Sequence, residues 1–134
     1  MIVAVIVVDA SALVELLLQM PAADQIEQRL FASGEPLHAP YLLDIEVAQV
    51  VRRFASRGDI SPASGRAAIN DLADFRVHRH PHALLLPRVW QLRQNLTAYD
   101  AIYVALAELL AAPLLTRDRR LASAGGHRAR VELV

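Results

Sequence analysis

The chain contains no cysteine and no lysine. The first absence removes disulfides, thiolate zinc sites and cysteine nucleophiles, and it fits a reducing compartment such as the cytoplasm. The second excludes chemistry that depends on a catalytic lysine, and all 14 basic residues are therefore Arg. Long apolar runs are missing too. The run Ile2 to Val8 stops at Asp9, lacks a basic leader and is far too short to span a bilayer, so neither a signal peptide nor a membrane segment is expected. No Gly-rich turn follows that run, which argues against dinucleotide binding.

What is present is an apolar, evenly charged chain. Its 134 residues suit a single domain, 1–134, with a real core, and the 54% apolar content argues against disorder. Net charge is zero, but the halves differ: residues 1–51 hold seven acids and one Arg, and residues 52–134 hold seven acids and thirteen Arg. An acidic site beside Arg-rich surface suits a polyanionic substrate, while the overall neutrality argues against a general nucleic-acid coat.

Strand and helix signals alternate. Ile2–Val8 reads as a strand buried on both faces. Asp9-Ala-Ser11 then caps a helix to about Met20, and a second helix covers about Ala22 to Ala32. Leu37–Ala39 is a short strand. A helix from Tyr41 to about Arg57 puts Leu43, Val47, Val50 and Phe54 on one face. Ser61-Pro62 starts a helix to about Asp74. Phe75–His80 reads as a strand and Ala83 to Arg93 as a helix, with Pro87 early in it. A helix follows Thr97, then a strand at Leu114–Thr116, a short helix over 119–124 and an edge strand at Val131–Val134. This alternation predicts a parallel sheet covered on both faces.

Four acids stand at the margins of these elements. Asp9 follows the first strand and Asp118 follows Leu114–Thr116, both where parallel sheets bind ligands, and both also able to cap a helix. Asp100, in the first turn after Thr97, completes something close to a capping box. Glu46 lies within or beside the apolar stripe of its helix, where an acid needs a partner; Arg53 is one possibility. Asp44 is expected to be a solvated first-turn acid. If the four acids converge, an oxygen-only set favours Mg²⁺ or Mn²⁺, and phosphodiester hydrolysis is the matching chemistry. His78, His80 and His82 form a weaker candidate, since Pro81 interrupts their alternation. Arg117, Arg119 and Arg120 flank Asp118 and could meet phosphates.

The ordered set Val7-Val8-Asp9-Ala-Ser11-Ala12, Glu46 with Arg52-Arg53, Thr97-Ala-Tyr-Asp100-Ala-Ile-Tyr103-Val-Ala-Leu-Ala-Glu108 and Pro113-Leu-Leu-Thr116-Arg-Asp118 resembles the PIN-domain ribonucleases of the VapC toxin type. The resemblance covers nearly the whole chain. It implies a three-layer α/β/α sandwich around a five-stranded parallel sheet. It also implies an acidic pocket of Asp9, Glu46, Asp100 and Asp118 that binds Mg²⁺ or Mn²⁺, with Thr116 and Ser11 in support. Cleavage of structured RNA such as tRNA or rRNA, a homodimer and inhibition by a VapB-like antitoxin follow from the resemblance alone. The competing expectation is a catalytically inactive PIN-like scaffold that binds protein or RNA, with the acids acting only as caps and solvated charges.

Overall fold

A computed structural model describes residues 4–32 and 34–134. Its strands are β1 (Ile6–Val8), β2 (Leu37–Pro40), β3 (His78–His80), β4 (Leu114–Thr116) and β5 (Val131–Leu133). Its helices are α1 (Ala10–Leu17), α2 (Ala23–Phe31), α3 (Leu42–Ser56), α4 (Pro62–Asp74), α5 (Leu86–Gln91), α6 (Ala98–Leu110) and α7 (Arg119–Ser123). The strands form one sheet in the order β3-β2-β1-β4-β5, and every neighbouring pair is parallel. Parallel pairing needs crossovers, and the helices supply them.

The central strands explain their own burial. Ile6, Val7 and Val8 are fully buried, as are Leu114 and Leu115, which is what β-branched and aliphatic runs do when helices cover both faces. The expected strand at Ile2–Val8 is observed over Ile6–Val8, and Ile2 and Val3 lie outside the described residues. The order in which strands are added reverses at β1: β2 lies on one side of it and β4 on the other, all running the same way. Such a switch point opens a crevice at the carboxyl ends of the strands.

Two elements differ from expectation. The third strand is only His78–His80; Phe75 still caps α4 through its N–H to the Leu72 carbonyl, and Val77 N–H turns back to Phe75. The expected helix over 83–93 is split into a 3-10 turn at Ala83–Leu85 and α5, with Pro87 in the first turn of α5. Proline lacks an N–H and fits the first helical turn better than the interior, so it restarts the helix there. On α3 the deepest apolar positions are Leu43, Val47 and Val51, with Val50 only half-buried. Among the described residues no helix is long and apolar enough to cross a membrane.

The uneven charge of the two halves is partly consumed in pairing. Arg79 meets Asp44 at 2.8 Å, Arg29 meets Glu132 at 2.9 Å and Arg117 meets Glu15 at 3.5 Å. Asp44 is thus the first-turn acid expected and is 40% exposed, but it is ion-paired rather than simply solvated. The same Arg79 also donates to the Leu72 carbonyl, so it joins β3 to both α3 and α4.

Candidate active site

The crevice is a groove of about 670 Å³ whose lining includes Asp9, Glu46, Asp100 and Asp118, together with Ser11, Tyr103, Arg53 and Arg120. Each acid arrives on a different element. Asp9 ends β1 and begins α1; Glu46 lies one turn into α3; Asp100 is in the first turn of α6; Asp118 links β4 to α7.

Asp9 is the most tightly held. It is 7% exposed and accepts hydrogen bonds from Ser11 Oγ at 2.7 Å, Thr116 Oγ1 at 2.5 Å and the Ala12 N–H at 3.0 Å. The last of these is the helix cap that the sequence also allowed. Thr116 is fully buried, and while it donates to Asp9 it accepts from the Asp118 N–H at 3.0 Å. Ser11 likewise accepts from the Arg117 N–H at 2.9 Å. These two hydroxyls stitch the β1–α1 junction to the β4–α7 junction, which β1–β4 pairing brings side by side.

Glu46 does not pair with Arg53. Its partner is Tyr103, whose hydroxyl donates to Oε1 at 2.6 Å. Tyr103 is 2% exposed, and the carboxylate beside it, together with burial, pushes its hydroxyl pKa up, so it stays a donor. Sequence reasoning assigned Tyr103 no role. The available signal was its spacing: three residues after Asp100, it shares a helix face with that acid. Asp118 caps α7 through Oδ1, accepting from the Arg120 N–H at 2.9 Å. The Asp100 N–H donates to Thr97 Oγ1 at 3.2 Å, so the expected cap of α6 forms as well. Capping and convergence thus coexist.

The electrostatics separate this groove from ordinary helix caps. Burial raises the Asp9 carboxyl above its usual range; its hydrogen bonds oppose that rise and Asp100 adds to it. Burial raises Glu46, Tyr103 opposes, and Asp9 and Asp100 raise it further. Burial raises Asp100, Asp118 reinforces the shift, and Arg120 works against it. Desolvation and the other carboxylates thus disfavour the charged form of three carboxyls. An oxygen-only donor set under mutual repulsion fits a hard divalent cation, which would relieve both costs. Among the described residues, no three His, Asp or Glu side chains are arranged to hold an ion as they stand. The acids share a groove, and their hydrogen bonds tie them to its walls.

The histidine candidate divides. His78 and His80 stack against His38 of the adjacent strand, at ring separations of 4.9 and 5.0 Å, and His38 Nδ1 lies 2.8 Å from His80 Nε2. His82 is elsewhere: its Nε2 accepts from the Leu42 N–H at the start of α3.

Comparison with known proteins gives the family. Residues 6–126 match the family model described as PIN domain. Ribonuclease VapC9 of Mycobacterium tuberculosis is 44% identical over 120 residues, covering 90% of this chain and 91% of that protein. Ribonuclease VapC12 of the same organism is 43% identical over 129 residues, covering 96% of this chain and 98% of that one. Among solved structures, VapBC2 from Rickettsia felis bound to a promoter DNA fragment superposes with a TM-score of 0.70 at 11% identity, covering 97% of this chain and 98% of that one. The sarcin-ricin loop cleaving toxin VapC20 of M. tuberculosis gives 0.66 at 19%, covering 88% and 93%. Those two similarities speak to the fold; the family model and the sequence relatives carry the assignment. The chain is a PIN-domain protein and belongs with the VapC ribonucleases.

Proposed function

We propose that this chain is a metal-dependent endoribonuclease, the toxin of a VapBC-type pair, and that it hydrolyses RNA phosphodiester bonds in the acidic groove. One observation carries the reading: four acids from four separate elements line a single groove, and three of them are shifted upward by burial and by each other. Relatives named as VapC ribonucleases at 43–44% identity support it.

Asp9, Glu46 and Asp100 would hold Mg²⁺, or Mn²⁺ in its place, and Asp118 would hold a second ion or orient water. When bound, the ion supplies charge neutralisation at the phosphate and an acidified water. The residues do the positioning. Ser11 and Thr116 fix the Asp9 carboxylate at the groove wall, one hydroxyl on each oxygen. Tyr103 fixes one oxygen of Glu46 and leaves Oε2 as the oxygen that would meet the ion. Arg53 and Arg120, on the groove walls, meet the non-bridging phosphate oxygens. The new P–O bond forms to water, which loses a proton to solvent, and the bond to the leaving ribose oxygen breaks as that oxygen takes a proton from solvent. The expected partners are structured RNA, a VapB-like antitoxin and a second copy of the chain.

The scaffold alternative explains the caps but leaves four gathered acids without a purpose. The test uses antitoxin-free protein and structured RNA in Mn²⁺. Cleavage is expected, and Asp9→Asn and Glu46→Gln should each abolish it. Cleavage that persists in both variants would overturn the assignment.

A further inference from the structure

Beside the acidic groove lies a second, smaller pocket of about 160 Å³. Leu42 and Tyr99 line both cavities and form the partition between them. Its other walls are apolar, from Leu86, Val89, Ala98 and Ile102, with a single polar group, His82. Tyr99 immediately precedes Asp100 on α6, yet its ring is 64% exposed. An exposed aromatic ring one residue from a groove acid is not explained by the core or by the chemistry assigned above.

His82 gives this pocket a direction. Its Nε2 accepts the Leu42 N–H at 3.0 Å, so the neutral ring carries its hydrogen on Nδ1. Among the described residues that Nδ1–H meets no acceptor. The pocket therefore combines a stacking face and an apolar floor with His82, whose Nδ1–H is open to solvent and available to donate. A cavity of about 150 Å³ takes one six-membered ring, so the pocket matches a single-ring base in size. Single-stranded RNA is commonly held by stacking of splayed bases on aromatic side chains. Arg53 and Arg120 on the neighbouring groove supply the positive charge that the connected phosphate requires.

We propose that this pocket is a base subsite: it takes one unpaired pyrimidine next to the cleaved phosphate, stacked on Tyr99, with the His82 Nδ1–H donated to a base carbonyl oxygen. The proposal rests on the RNA reading above. It makes Tyr99 a positioning residue that selects where the chain cuts.

The test uses antitoxin-free full-length chain without metal, so that binding is read apart from cleavage. The probes are fluorescent pentaribonucleotides with uridine, adenosine or an abasic ribose at the central position. Uridine should bind about tenfold more tightly than the abasic probe, the scale of one stacked base, and more tightly than adenosine. Tyr99→Ala should erase the difference and Tyr99→Phe should keep it. Ala98→Leu, which fills the pocket from the first turn of α6, should erase it while circular dichroism and melting stay those of a folded chain. Equal binding of uridine and abasic probes overturns the subsite, as does a preference for adenosine. If Tyr99→Ala instead converts a dimer to a monomer and leaves base discrimination intact, the pocket is a contact between copies and the proposal fails. Cleavage of structured RNA in Mn²⁺, run in parallel, separates the two readings. Unchanged cut sites in Tyr99→Ala sink the subsite alone. Base-selective binding with no cleavage sinks the nuclease reading alone.

Discussion

Helix α6 carries two acids a little over two turns apart, and they live in opposite worlds. Asp100, in its first turn, faces other carboxylates and is pushed above the usual range. Glu108, in its last turn, is clasped by Arg88 through two hydrogen bonds of 2.7 and 2.9 Å and by the Arg128 N–H at 2.8 Å. Those hydrogen bonds hold its carboxyl below the usual range. The Glu108 side chain is 5% exposed and joins α6 to α5 and to the loop before β5. Both belong to the same apolar helix, and composition does not tell them apart. A buried acid matched by an Arg stabilises the fold, whereas a buried acid facing other acids destabilises the empty protein and marks a site where a cation is expected.

That contrast can be broken by substitution. The largest expected effect is on Asp100→Asn. RNA cleavage should fall on the order of 1000-fold, the several kcal/mol of charge stabilisation that an ion held by Asp100 would supply, while the fold survives. Rates measured under single-turnover conditions check it, and a loss below tenfold would place Asp100 with the helix caps. Next comes Glu108→Ala, which leaves the Arg88 guanidinium and the Arg128 N–H without their acceptor. Stability should drop by about 2 kcal/mol, the scale for losing hydrogen bonds to a charged group, since the Arg88 left behind is 29% exposed and can be hydrated. Urea unfolding reads this, and cleavage per folded molecule should change little.

A third prediction sharpens the comparison through pH. The folded-state pKa of Asp100 lies above its unfolded value, so its contribution is fully present below about pH 4 and is lost as pH rises through the raised value. The Glu108 shift has the other sign: its contribution is present above the unfolded value and is lost as pH falls. In metal-free protein, the stability of Asp100→Asn relative to the parent should therefore grow from pH 4 toward neutrality. Glu108→Gln should be less stable than the parent at neutral pH, and that deficit should close as the pH is lowered. Mn²⁺ at neutral pH should stabilise the parent and not Asp100→Asn. Parallel curves for all three proteins would remove the distinction.

The smallest expected effect is on Ser11→Ala. It deletes one donor to Asp9 and leaves Thr116 and the Ala12 N–H in place. Cleavage should fall about tenfold, as for other groups that orient a ligand, and the Mn²⁺ concentration needed for half-maximal rate should rise. An unchanged metal requirement would separate Ser11 from the site.

Much of this was legible in the residues. The Val7-Val8-Asp9 and Leu114-Leu115-Thr116 runs specify buried strands that end at polar groups, and Ser61-Pro62 and Thr97 specify helix starts that the structure contains. Periodicity put Glu46 beside an apolar stripe. It was silent on which neighbour would meet it: Arg53 lies on the same helix, but the donor is Tyr103, 57 positions away. The ion pair of Asp44 was missed for the same reason, because Arg79 comes from a strand that no local pattern connects to α3.

The sequence by itself determined the alternation of apolar strands and helices, the positions of the caps and the order of the acids along the chain. Each of these depends on neighbours within a few residues, where backbone geometry is fixed. Only the tertiary structure decided which acids face each other and which face Arg, since the β1–β4 pairing and the clasp at the end of α6 join residues far apart in the chain. Burial and charge proximity, which set the sign of each carboxyl's shift, exist only once those distant segments touch.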